Sequence, residues 1–234
     1  MADKKVPVVQ EVEEVNEGLE TVKGFWEKNK KIIIGLSAAV IVVIGSWYVY
    51  KNYIQLPKEE KAAEAIFKAQ QYFANDSLDL ALNGDGQNKG FLNTISNYSG
   101  TKSGNLAHYY AGVIYLRKGD FNKAIEHLKD FSTDSKQIQM MAYGRLADAY
   151  GDAGKKDEAV DYYKKAGNYF PEDDNASSEF LFRAGFLLES MNKNSDALTF
   201  YKQIKDKYPK TQMGFTIDKY INRLEVVKNE FSVK

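Results

Sequence analysis

A stretch of nineteen uncharged residues, 32–50, constrains this chain more than any other feature of its sequence. It lies between Lys31 and Lys51 and consists almost entirely of aliphatic, small and aromatic residues. As an α-helix rising ~1.5 Å per residue it would be about 28 Å long, close to the hydrocarbon thickness of a bilayer. A core helix of a soluble protein would carry a polar stripe, whereas this stretch is apolar all round. The sequence therefore predicts one transmembrane helix.

The residues flanking this stretch predict its orientation. Lys28, Lys30 and Lys31 precede it, and Trp26 and Trp47 stand near its two ends, where aromatic side chains favour the membrane interface. An excess of lysine marks the cytoplasmic side, so we expect a cytoplasmic N-terminus. A cleaved signal peptide would start near residue 1 and have a shorter apolar core. We therefore interpret residues 25–54 as a membrane anchor.

Residues 1–24 form an acidic tail with two possible structures. Residues 1–23 contain six acidic residues and three lysines. Apolar residues recur every three or four positions, as in an amphipathic helix that could bind a cytosolic partner; they are Val8, Val12, Val15, Leu19 and Val22. A disordered acidic tail is the alternative, because an isolated helix of this length is marginal in water.

The composition argues against several functional classes. Lysine plus arginine and aspartate plus glutamate both number 32, and no basic cluster outside the anchor flank indicates nucleic-acid binding. The absence of cysteine excludes disulfides, thiol catalysis and thiolate metal sites. His108 and His127 lack the spacing of metal ligands, and Asp85 lies in a short loop without the further acids of a calcium site. We expect no catalytic residues, no cofactor and no metal.

Three copies of one pattern follow the anchor. Pro57 begins a predicted helix that extends to Leu82, a short helix covers residues 91–98, and the copies come next. In each copy, a small residue on the first helix is predicted to face an alanine on the second helix. The pairs are Gly112 with Ala124, Ala147 with Ala159, and Gly185 with Ala197, and successive copies are 35 and 38 residues apart. Small side chains allow two helices to approach closely.

This pattern resembles the tetratricopeptide repeat, a helix-turn-helix unit of about 34 residues. The resemblance implies an all-α protein in which an N-terminal transmembrane helix is followed by a tetratricopeptide-repeat α-solenoid over residues 55–234. The three repeats would cover about 105–138, 140–173 and 178–211. A degenerate hairpin, 57–98, would precede them, and residues 212–231 would form a capping helix.

Two surfaces are predicted for partners. The first helices of such an array line a concave groove, which here would contain Tyr109, Val113, Leu116, Arg117, Asp148, Asp152, Phe182, Phe186 and Glu189. The anchor carries a stripe of small residues that would let another membrane helix approach closely; they are Gly35, Ala38, Ala39, Gly45 and Ser46.

The order of an acidic tail, one lysine-flanked anchor and a short repeat domain resembles the YfgM-type ancillary subunits of the bacterial SecYEG translocon. The resemblance implies a single-pass inner-membrane protein with periplasmic repeats. Its implied partners are the Sec translocon subunits and a membrane-anchored periplasmic chaperone of the prolyl-isomerase type. Three alternatives remain: a scaffold of another envelope assembly, an organelle-surface receptor with cytosolic repeats, or an enzyme whose site the sequence does not reveal.

Overall fold

A computed structural model of the chain describes residues 8–231, with side chains from residue 22 to residue 226 and at residue 20. These residues are almost entirely helical, and no β-strand occurs among them. The elements are α1 (Val8–Val49), a π-helical segment (Tyr50–Gln55), α2 (Leu56–Ala74), α3 (Leu78–Asn83), α4 (Phe91–Asn97), α5 (Lys102–Arg117), α6 (Phe121–Asp130), α7 (Lys136–Asp152), α8 (Lys156–Tyr169), α9 (Asp174–Ser190), α10 (Asn194–Lys207) and α11 (Gln212–Phe231). The all-α prediction is confirmed.

The chain divides into two compact units, Met1–Pro57 and Lys58–Lys234. In the first unit the predicted apolar stretch forms the C-terminal part of α1. This helix is long and apolar enough to cross a membrane, and its most apolar window is not buried within the protein. Residues 8–22 of the tail are helical in their backbone, whereas residues 1–7 and the side chains at positions 8, 12, 15 and 19 lie outside the described residues.

The second unit is a solenoid of helical hairpins. Helices α5 and α6, α7 and α8, and α9 and α10 form three consecutive pairs, and α11 packs on the last pair. Each hairpin needs a left-handed residue between its helices. Gly119 and Gly154 supply it in the first two pairs, with φ of 78° and 76°. The third pair has Asn192 there, with φ of 60°, because asparagine tolerates this conformation better than most side chains.

The small residues of the repeats lie deep inside these hairpins, and Ala124, Ala159 and Ala197 are fully buried. A Cβ at Gly112 would lie 2.6 Å from Cγ of Leu128, and a Cβ at Gly185 would lie 2.6 Å from Cε1 of Tyr201. Gly112 and Gly185 were predicted to face Ala124 and Ala197. The side chains nearest to these two glycines are instead the larger Leu128 and Tyr201.

The segment before the repeats differs from its predicted form. The single helix predicted from Pro57 to Leu82 is two helices, α2 and α3, separated by residues 75–77. Asp76 adopts a left-handed conformation there, with φ of 57°. An aspartate tolerates this conformation because its short polar side chain can hydrogen-bond locally.

The loop after α3 is held by Asp85. Its carboxylate accepts hydrogen bonds from the hydroxyl of Tyr72 at 2.5 Å and from the backbone N–H groups of Asn88 and Gln87 at 2.6 and 2.9 Å. The Tyr72 and Asn88 hydrogen bonds hold the pKa of Asp85 well below its usual range. Donors within the protein thus already satisfy this carboxylate.

Candidate partner-binding cleft

An open cleft of about 600 Å³ lies on the first helices of the repeats. Helix α5 contributes Leu116 to it, and the remaining lining comes from α7, α8 and α9. Five of the nine predicted groove residues meet there; they are Leu116, Asp148, Asp152, Phe182 and Phe186. The repeat register thus brings together residues that are as far as 70 positions apart in the chain.

The apolar side of the cleft is built by two phenylalanines on α9. Phe182 and Phe186 stand four residues apart, and their rings stack with centroids 6.0 Å apart. Phe182 is half-buried and also packs against Tyr201 and Tyr220. Phe186 is 55% exposed, so most of one ring face is open to solvent. It presents an apolar surface to anything that enters the cleft.

The polar side of the cleft is organised around Asp148 of α7. Its carboxylate accepts a 2.6 Å hydrogen bond from the hydroxyl of Tyr163 on α8. Arg183 of α9 lies 3.3 Å from the same carboxylate, and Arg145 lies 3.4 Å from it. Burial and the hydrogen bond to Asp148 both raise the pKa of the Tyr163 hydroxyl, which therefore acts as a donor. Asp148 thus links three helices.

A second hollow of about 290 Å³ adjoins the cleft and shares three of its lining residues, Asp148, Glu179 and Arg183. Arg183 also pairs with Glu179 at 2.8 Å. The three charged side chains consequently form a fixed polar boundary between the two hollows.

Four predicted groove residues lie outside the cleft lining. Tyr109 packs on Phe131, and Val113 is only 8% exposed within the core. Arg117 pairs with Asp76 at 3.2 Å, in the break between α2 and α3. These side chains make structural contacts within their own part of the array.

Glu189 is the fourth predicted groove residue outside the cleft lining, and it bonds to Tyr201 and Arg223. It accepts a 3.0 Å hydrogen bond from the hydroxyl of Tyr201 and pairs with Arg223 of α11. Its partners lie on the last hairpin and the final helix, so its contacts extend away from the cleft.

Sequence reasoning did not assign Arg145, Tyr163, Glu179 and Arg183 to the groove. One signal was available, since Arg145 and Arg183 are 38 residues apart, which is the offset between the second and third copies of the repeat. A charged residue that recurs at the repeat offset occupies the same position in each unit. Such a residue is a candidate for a link between units.

The small-residue stripe of the anchor lies on the exposed surface of α1. A Cβ at Gly35 or Gly45 would meet no other atom within 4 Å, and Ala38, Ala39 and Ser46 are exposed. Among the described residues, this face of α1 therefore carries small side chains that are exposed.

The two histidines meet between α5 and α6. Their Nδ1 atoms lie 3.2 Å apart, and the ring of His127 stacks on Tyr115. Burial lowers the pKa of both imidazoles, and the proximity of His108 lowers that of His127 further. Within the described residues, no group of three or more His, Asp or Glu side chains is arranged to hold a metal ion.

The paired helices, their close crossings and the cleft on the first helices define a helical-repeat protein that serves as a protein–protein interaction module. The sequence matches the tetratricopeptide repeat-like domain family over residues 23–224, and the chain belongs to that family. The matched range includes the apolar stretch as well as the repeats. The comparison with curated proteins found no match.

Proposed function

We propose that the protein is a non-catalytic, membrane-anchored interaction subunit. In this proposal α1 crosses the membrane once with its N-terminus in the cytoplasm, and the repeats bind a protein partner on the other side. The observation that carries the proposal is the exposed Phe186, stacked on Phe182 in a cleft of about 600 Å³. Exposed aromatic side chains in a concave surface are typical binding anchors.

The finer assignment is an accessory subunit of the bacterial Sec translocon. The protein would lie in the inner membrane with its repeats in the periplasm, and would act on translocated proteins together with a membrane-anchored prolyl-isomerase-type chaperone. The order of the parts supports this assignment, because a lysine-flanked apolar helix precedes a short repeat domain within one family match. The exposed small-residue face of α1 also fits close packing against a membrane subunit.

Co-purification tests this assignment. Tagged protein is extracted from bacterial membranes in mild detergent, and the partners are identified by mass spectrometry. We expect translocon subunits and a periplasmic chaperone. Recovery of a different envelope assembly, or of neither partner, would refute the finer assignment.

Two double variants should separate the two surfaces. Phe182→Ala with Phe186→Ala should weaken chaperone recovery, whereas Phe215→Ala should not, since Phe215 is 76% exposed on α11 and lies outside the cleft. Gly35→Ile with Ala39→Ile should weaken translocon recovery, because larger side chains prevent a close helix approach. The matched control is Ile33→Leu with Ile44→Leu, on the opposite side of α1. Unchanged recovery in both test variants would contradict the two-surface arrangement.

A further inference from the structure

We propose that the cleft recognises an extended segment of its partner that carries a lysine or arginine beside an apolar side chain. The inference rests on the proposed role of the cleft in partner binding, and it specifies the chemistry of the segment bound there. It follows from the charges that line the cleft and from their position relative to the two phenylalanines.

The lining of the cleft is acidic. It contains three carboxylates, Asp148, Asp152 and Glu179, and one guanidinium, Arg183. Arg183 pairs with Asp148 at 3.3 Å and with Glu179 at 2.8 Å, and Arg145, just outside the lining, pairs with Asp148 at 3.4 Å. These two arginines balance those two carboxylates, so Asp152 supplies the remaining negative charge of the lining. The cleft therefore favours a cationic ligand over an anionic one.

Asp152 is the carboxylate open to a ligand. It is exposed, and the structure shows no ion pair to it among the described residues. Asp148 stands one helical turn earlier on α7, so both carboxylates point to the same side of the helix. Asp148 is already held by Tyr163 and Arg183, which leaves Asp152 as the acidic group that an incoming cation can neutralise.

The apolar lining lies beside this carboxylate in the same cleft. Phe182 and Phe186 also stand one turn apart and share a face of α9, and Leu116 and Leu187 complete the apolar surface. A lysine or arginine that pairs with Asp152 can also lie against the exposed ring of Phe186, because a cation is attracted to an aromatic face. A neighbouring apolar side chain of the same segment would then cover Phe182.

An extended segment fits this arrangement because the cleft is open and its lining includes residues of three successive hairpins. Successive residues of an extended chain are ~3.3 Å apart, so a basic residue and an apolar residue one or two positions apart reach both parts of the lining. A segment with acidic side chains would add negative charge to an acidic cleft.

Peptide binding to the complete chain in detergent tests the inference. Four fluorescein-labelled peptides with blocked termini are compared by fluorescence polarisation: a Leu-Phe pair flanked by lysines, the same pair flanked by glutamines, the same pair flanked by glutamates, and a Ser-Ser pair flanked by lysines. We expect the lysine-flanked Leu-Phe peptide to bind about fivefold more tightly than the glutamine-flanked one, the effect of one exposed ion pair. The glutamate-flanked and Ser-Ser peptides should bind more weakly still.

Variants assign the preference to the residues named. Asp152→Asn should make the lysine-flanked and glutamine-flanked Leu-Phe peptides bind equally, and Phe186→Ala should weaken both. The matched control is Asp161→Asn, an exposed aspartate that lines a separate hollow with Lys164 and Lys165, and it should leave the preference unchanged. Circular dichroism melting checks that each variant is folded.

Equal binding of the lysine and glutamine peptides to the unmodified chain would overturn the inference, and this comparison needs no variant. Absence of binding by any peptide would overturn it as well. Either result leaves the co-purification test of the proposed function intact, because that test depends on native partners and not on these peptides. If the co-purification recovers no translocon subunit or chaperone but the peptides still show the expected preference for lysine, only the assignment to the Sec translocon is refuted.

Discussion

The hydroxyl of Tyr163, on α8, donates a 2.6 Å hydrogen bond to the carboxylate of Asp148, on α7. The same carboxylate pairs with Arg183 on α9, the first helix of the next hairpin. One acid therefore connects both helices of its own hairpin to the following unit. Its side chain is 19% exposed, so these contacts are only partly screened by water.

The same arrangement recurs one unit later. Glu189 of α9 accepts a hydrogen bond from Tyr201 of α10 and pairs with Arg223 of α11. In both places an acid on a first helix binds a tyrosine on the second helix and an arginine on the helix that begins the next layer. The same kind of polar contact thus joins each of these two hairpins to the helix that begins the next layer.

Replacing Asp148 should destabilise the repeats. Asp148→Ala leaves the half-buried hydroxyl of Tyr163 without its acceptor, which we expect to cost about 1–3 kcal/mol in the free energy of unfolding. Asp152→Ala, one turn along the same helix, removes an exposed carboxylate and should change stability by less than about 0.5 kcal/mol. Denaturant unfolding of the two variants makes the comparison. Similar midpoints would contradict the role given to Asp148.

Enlarging a close helix crossing should also destabilise the array. Ala159 is fully buried and lies near Gly151, where an added Cβ would stand 3.7 Å from that of Ala159. Ala159→Leu should therefore cost ~1–3 kcal/mol through overpacking, and the adjacent units should loosen with it. Lys156→Leu, at the exposed start of the same helix, is the control. Thermal melting would contradict the repeat register if both variants had the same Tm.

The histidine pair should make stability depend on pH. Burial lowers the pKa of His108 and His127 in the folded chain, although Glu126 and Asp130 of α6 oppose the shift. The unfolded chain, with a histidine pKa of about 6.5, then binds protons before the folded one does. Stability should fall as the pH drops below about 6.5, and this loss ends once the pH is below the folded-state pKa values.

Melting curves at about pH 7.5 and about pH 5.5 measure this dependence on either side of the ordinary histidine pKa. The double variant His108→Gln with His127→Gln should show a smaller difference in Tm between the two conditions, because glutamine does not titrate. If the double variant shows the same difference in Tm between the two pH values as the unmodified chain, the pH dependence arises from other titratable groups.

The orientation of the anchor can be tested in spheroplasts. The lysines that precede the apolar stretch predict a cytoplasmic N-terminus, with residues 54–234 on the other side of the membrane. Protease added outside should therefore digest the repeats, while a cytoplasmic marker protein survives. Repeats that resist digestion until the membrane is opened would show the reverse orientation.

The sequence by itself determined the all-α class, the candidate membrane helix and the repeat family. Each depends on residues that are close in the chain. A run such as 32–50 is apolar whatever surrounds it, and small residues recurring at offsets of 35 and 38 report the packing of neighbouring helices. The repeat register also indicated which helix face would carry Asp148, Asp152, Phe182 and Phe186.

The tertiary structure decided which of these residues share one cleft and how they are connected. Tyr163 and Arg183 reach Asp148 because of the angle at which successive hairpins pack, and no local pattern records that angle. The same packing places Val113 in the core and turns Arg117 toward Asp76, in a break that the helical pattern from Pro57 to Leu82 did not reveal. Periodicity fixes the face of a helix, whereas contacts between helices far apart in sequence fix what that face meets.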